Sequence, residues 1–255
     1  MKSKPLAFLP ALSVAMAAHA SAALVFSDDF SSDGTLVGST PDLGGNWTQT
    51  GTVATNPITV ASGSAALVAS GQDVYAAFSG SVPTTAGNSI VTTFDLTVSN
   101  VQSSGDYFLH LSDPVGTTSN FYGRIFARPS ATVGFYQLGI ASNSGTGTVT
   151  TYGTVDLALG QTIEVSMTWT FVAGPANDAF SLATDGTSYL SGYTWTGNAE
   201  PATQVSAVNL RQGGSGTGPS LTVDNLEVSA IPEPAVALLG SLGLLGLLLR
   251  RRSNS

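Results

Sequence analysis

The segment QTIEVSMTWTFV, residues 161–172, places Ile163, Val165, Met167, Trp169 and Phe171 at alternate positions, with Thr162, Glu164, Ser166, Thr168 and Thr170 between them. Successive side chains of a strand point to opposite faces, so this alternation predicts a strand with one buried and one solvated face. Residues 90–98 repeat the pattern with Ile90, Phe94, Leu96 and Val98 inward. Further strands are expected at 65–69, 74–79, 107–112, 121–127, 132–140, 180–184, 188–194, 204–210 and 221–228. Between them lie turn clusters such as SSDG, DLGGN, SNSGTG, TDGT and RQGGSGTGP. No stretch outside the two chain ends has sustained helical spacing. Many short strands joined by Gly-rich turns predict an all-β fold, a single jelly-roll β-sandwich over residues 23–230 with no internal linker.

The charge of that body is lopsided. Between residues 24 and 230 the basic residues are Arg124, Arg128 and Arg211, against fifteen acids, a net −12 with no Lys. Such a surface repels phosphates and anionic lipid, so nucleic acid is not expected as a partner. The chain has no Cys, which excludes thiolate metal sites, disulfides and Cys nucleophiles. A body of this size buries enough core without disulfides.

The two ends read as addresses. Residues 1–22 combine a basic start (Lys2, Lys4), a short apolar stretch and small residues at alternate positions, the pattern of a secretory signal peptide. Cleavage is expected after Ala20 or Ala22, with the Sec translocon and signal peptidase as partners. At the other end, residues 235–249 are uncharged and precede Arg250, Arg251 and Arg252. As a helix the run is about 22 Å long, against a hydrocarbon core of about 30 Å. It spans with some thinning of the bilayer, while the flanking arginines reach the headgroups. The arginine tail places that end in the cytoplasm, and the signal peptide sends the body outward.

Pro232-Glu233-Pro234, the apolar run and the arginine tail together resemble the PEP-CTERM sorting signal of exopolysaccharide-producing Gram-negative bacteria. The resemblance covers residues 231–255. It implies recognition at Pro-Glu-Pro by an exosortase, a membrane Cys protease-transpeptidase that removes the helix, and a transient inner-membrane anchor before release to the cell surface or extracellular matrix. The two prolines keep the motif extended and readable by a protease. Ile231 and Ala235 flank the motif where Val and Ser or Thr are more usual.

The body also resembles a concanavalin A-like or laminin G-like jelly roll. The segments that carry this are FSDDFSSDG (26–34), the paired strands TIEVSMTWTF and AFSLATDGTSYLSG with Asp185-Gly186 at a hairpin tip, and the closing LTVDNLEV with Asp224-Asn225. Related carbohydrate-binding modules use acids on paired first and last strands for structural Ca²⁺. That implies Asp28, Asp29 and Asp224 as candidate ligands, since oxygen donors suit Ca²⁺. The alternative is that they are strand-edge and turn acids.

Glucan hydrolases of this architecture carry Glu-x-Asp-x-Glu on one strand, and no such run exists here. The histidine left after signal removal is His110, whose alternating neighbours place it at or near the surface rather than as a base. There is no Gly-x-Ser-x-Gly elbow, and GGSGTG (213–218) lacks the Lys of a phosphate loop. Tyr193, Trp195 and Trp47 are candidate sugar-stacking rings, with core burial as the alternative. The expectation is therefore a non-catalytic surface or exopolysaccharide-matrix protein. A lectin-like carbohydrate-binding module is the alternative, and a glycoside hydrolase ranks below both.

Overall fold

The computed structural model describes residues 21–50, 56–68, 71–101, 106–113, 121–141, 150–174, 177–194, 203–212 and 220–233. The chain divides into two units, residues 21–232 and a second formed by residues 1–20 with 233–255. The first is the body. The expected signal peptide up to residue 20, the helix at 235–249, Pro234 and the arginine tail lie outside the described residues. No helix among the described residues is long and apolar enough to cross a membrane.

Among the described residues the body contains strands and no helix, as the alternation predicts. In chain order the strands are β1 (Ala23–Asp28), β2 (Gly34–Thr35), β3 (Thr48–Gln49), β4 (Thr59–Ala61), β5 (Ser64–Leu67), β6 (Asp73–Pro83), β7 (Ser89–Asn100), β8 (Asp106–Ser112) and β9 (Phe121–Pro129). They continue as β10 (Phe135–Ala141), β11 (Thr150–Tyr152), β12 (Leu157–Ala158), β13 (Thr162–Thr170), β14 (Ala179–Thr184), β15 (Thr187–Thr194), β16 (Gln204–Arg211) and β17 (Ser220–Ile231). They form two antiparallel sheets. The first runs β15-β14-β13-β7-β17-β5-β4-β2, with β1 also paired to β17; the second runs β11-β10-β9-β8-β16-β6-β3, with β12 beside β10.

In the first sheet, β7 lies between β13 and β17. Ile163, Val165, Met167 and Trp169 of β13 face inward with Ile90, Phe94, Leu96 and Val98 of β7 and Leu221, Val223 and Val228 of β17. The second sheet closes this core from the opposite side. Phe94 meets Phe108 of β8 edge-on at 6.1 Å, and Tyr122 of β9 lies 5.4 Å from Trp169. Gly123 of β9 adopts φ +54°, and a Cβ there would stand 3.1 Å from Met167. The backbone thus approaches the facing sheet at a point where glycine both fits and permits the conformation. Burying each large apolar side chain of this core contributes about 1.5–3 kcal/mol relative to exposure.

The first and last long strands pair, Asp28 standing opposite Leu226. Asp185 and Gly186 both have positive φ, so the two-residue β14–β15 hairpin takes the turn whose twist matches its strands. Asp185 also ties this tip to β13, its carboxylate accepting the Glu164 N–H at 2.9 Å. One strand expected from residue 132 begins at Phe135, because the β9–β10 connection occupies residues 130–134 and Gly134 turns there at φ +86°. The short strands β2, β3, β4, β11 and β12 are two or three residues long, too short for alternation to reveal them.

Candidate functional site

The face of the second sheet turned away from the core gathers the body's cations. On β9 the sequence RIFAR sets Arg124, Phe126 and Arg128 at every second position, so all three share that face. Register places Tyr107 of β8 opposite Phe126, His110 opposite Asn209 of β16, and Asn209 opposite Tyr75 of β6. A bulge between Tyr107 and Leu109 brings Tyr107 and His110 to the same side. Their rings meet edge-on at 5.5 Å.

Two guanidinium groups converge on one phenol ring. Arg124 stands 5.1 Å and Arg211 4.2 Å from the Tyr107 centroid. Arg211 Nε also lies 3.4 Å from Asp73 Oδ2. Arg124 extends toward Phe126 at 5.9 Å. Asn209 Nδ2 donates to Ser112 Oγ at 2.8 Å, which fixes the amide beside His110. Tyr107, His110 and Arg124 are buried, and Arg211 is partly exposed. Burial, then the charges of Arg124 and Arg211, lower the His110 pKa to about 3, so the imidazole is neutral across the physiological range.

Further along the same face, Arg128 lies 3.8 Å from the Tyr152 centroid. Its Nε and Nη2 donate to Gln137 Oε1 at 3.1 and 2.9 Å. Gln137 Nε2 in turn donates to Asp156 Oδ1 at 3.1 Å, and Asp156 also accepts from Ser130 and Thr132 hydroxyls at 2.6 and 2.8 Å. The hydrogen bond from Ser130 chiefly holds the Asp156 pKa below its ordinary value.

Sequence reasoning did not single out this constellation. His110 was expected near the surface, whereas desolvation between β9 and β16 encloses it. The readable signal was the alternation Arg124-Phe126-Arg128 in a body whose one other basic residue is Arg211.

The residues expected to carry sugar or calcium take other places. Trp47 is not available for stacking on a sugar: it is 1 % exposed, edge-on to Phe26 at 5.6 Å and stacked on Phe30 at 6.2 Å. Its indole N–H donates to Asp28 Oδ2 at 2.6 Å. The Tyr193 backbone pairs with Phe180 on β14–β15, while Trp195 lies outside the described residues. Asp28, Asp29 and Asp42 each bring a carboxylate oxygen within 4.8 Å of the others. Asp224 is not in that group: its Oδ1 accepts the Asn225 N–H, and Asn225 Nδ2 reaches Asp95 across the β17 bulge. Burial chiefly raises the pKa of both Asp28 and Asp224. Of the sorting motif, Pro232 and Glu233 are exposed just beyond β17.

No family model and no curated protein matches this chain. Among solved structures it is similar to alginate lyase Aly36B, with 13% identity over 81% of this chain and 97% of that one, TM-score 0.45. It is similar also to the PL7 alginate lyase AlyA1 from Zobellia galactanivorans, with 12% identity over 76% and 97%, TM-score 0.45. A third is the CBM2 module of the Lactobacillus casei BL23 phage J-1 evolved Dit, with 13% identity over 82% and 95%, TM-score 0.49. At these identities the likeness is one of β-sandwich architecture. Against the expectation of a non-catalytic protein, several of these similar structures are alginate lyases. That expectation weighed the missing carboxylate pair, which bears on glycoside hydrolysis and not on elimination.

Proposed function

We propose that the body is a concanavalin A-like jelly roll that cleaves an anionic polysaccharide by β-elimination on the outer face of its second sheet. The observation that carries this reading is the convergence of Arg124 and Arg211 on Tyr107, beside the neutral His110, in a body of net −12 whose three cations all lie on this one face.

Elimination at a uronate breaks the C4–O bond. The C5 proton goes to a base, its electron pair becomes the C4–C5 double bond, and the departing oxygen takes a proton. The C5 proton is acidic enough only when the neighbouring carboxylate is neutralised, a task for preorganised cations and amides. Arg124, Arg211 and the Asn209 amide fill that role. Tyr107, on which both guanidinium groups converge, takes the C5 proton and passes it to the leaving oxygen, while the enclosed neutral His110 only packs against its ring. In a body that otherwise repels anions, this is the face whose cations would admit a polyanion.

Delivery follows from the ends. Export through the Sec translocon, removal of the signal peptide and exosortase processing at Pro232-Glu233-Pro234 set the enzyme at the cell surface or in the matrix, where exopolysaccharide is the substrate at hand.

The test mixes residues 21–232, a compact unit with its own core, with uronate-containing and neutral polysaccharides. Ultraviolet absorbance of the new conjugated double bond should rise with a uronate polymer and not with neutral glucan, and Arg124→Gln should abolish the rise. Absence of unsaturated product from every uronate polymer, including the producing cell's own exopolysaccharide, would overturn the reading.

A further inference from the structure

Arg128 is held in a way that the chemistry at Tyr107 does not require. Four residues beyond Arg124 on the same strand face, it stands about 13 Å away along β9, farther than a single sugar extends. Among the described residues it has no carboxylate partner: two of its N–H groups meet the neutral Gln137 oxygen, and its plane lies on Tyr152. Its charge is therefore fixed in position without being neutralised, although the body is rich in acids that could have paired with it.

The fixing is itself built in layers. The Asp156 carboxylate binds the Gln137 amide nitrogen, which leaves the amide oxygen facing Arg128. The Tyr152 ring lies directly over Gly139, where a Cβ would come within 2.5 Å of it. Only a glycine at that point of β10 lets the ring settle flat against the sheet, and Arg128, Gln137 and Tyr152 all remain partly exposed. A guanidinium presents donors in a planar fork that matches a carboxylate, and a locked one loses little entropy on binding.

We infer that Arg128 on Tyr152 forms a second anion-binding subsite, which takes a carboxylate of the same chain several sugars from the reacting bond, with Asp156 as a positioning residue acting through Gln137. This rests on the proposal that the face binds an anionic polysaccharide. The face then discriminates by chain length: a short oligomer reaches one subsite, a longer one both.

The experiment titrates residues 21–232 with a uronate disaccharide and a uronate hexasaccharide, following binding by calorimetry and product by absorbance. Arg128→Gln is expected to weaken hexasaccharide binding about tenfold and leave the disaccharide unchanged, the loss of one charge-assisted contact. Gln137→Glu, which keeps the guanidinium but neutralises it, should do the same; Gly139→Ala, which displaces the ring, should have a smaller effect of the same kind. Melting of each variant separates misfolding from lost contact. Equal affinities for Arg128→Gln and the original chain, or equal losses at both lengths, would overturn the subsite while leaving the elimination proposal intact. Length-dependent binding without product would sustain the subsite and overturn elimination. No binding of either oligomer overturns both.

Discussion

The Trp47 indole N–H donates to Asp28 Oδ2 at 2.6 Å, joining the end of the first strand to the loop before β3 inside the core. The second Asp28 oxygen accepts the Phe30 N–H at 2.8 Å, which helps hold Phe30 at φ +49° under the indole. One buried carboxylate thus satisfies two donors and seats two aromatic rings.

Replacing Asp28 by Ala strands a buried indole N–H and a buried backbone N–H. A cost of about 2–4 kcal/mol is expected, one desolvation penalty for each donor. Urea unfolding of residues 21–232 measures it; a change below about 0.5 kcal/mol would mean that this bond is not part of the fold's support.

Calcium at the Asp28–Asp29–Asp42 group would act by mass action on the native state, raising the melting temperature with concentration. The expected pattern is a lower melting temperature in EDTA, restored by calcium and abolished in Asp29→Asn with Asp42→Asn. Identical melting in EDTA and in calcium would remove the metal from the account, leaving these acids as turn formers: the Asp29 carboxylate already accepts the Ser31 N–H, and that of Asp42 the Asp29 N–H.

His110 gives the body a pH dependence of known sign. Its folded pKa is about 3, below the ordinary value of 6.5, so the unfolded chain takes up a proton that the folded one refuses. The stabilisation is complete above the unfolded value and is lost as pH falls from there toward 3, at about 1.4 kcal/mol per pH unit. Comparing His110→Gln with the original chain at pH 7 and pH 5 should show that extra slope only in the original. Parallel curves would mean that His110 titrates normally.

Processing is tested at Pro232-Glu233-Pro234. Changing all three to Ala should leave export intact and block removal of the proposed C-terminal anchor, because alanine favours helix at the motif and deletes the charge proposed for recognition. The retained form should be about 2 kDa heavier and stay with the inner membrane, as an apolar helix must. Blots of cell fractions from an exosortase-bearing host report it. The same size and fraction for both forms would reduce the tail to an anchor.

Residues 163–171 and 90–98 were enough to establish an all-β body with one solvated and one buried face, because strand alternation is a local property written in consecutive residues. The hairpin at Asp185-Gly186 was equally legible, since positive φ at two successive positions demands that residue pair. The partners of each side chain were not. In sequence Trp47 reads equally as a sugar-stacking ring or a core ring, and only tertiary packing set it against Asp28, Phe26 and Phe30. Arg124 and Arg211 are far apart in the chain, and they share Tyr107 because β8 lies between β9 and β16. Alternation dictates which face a residue takes, whereas strand order decides which distant residues meet on it. The candidate site is a product of that order.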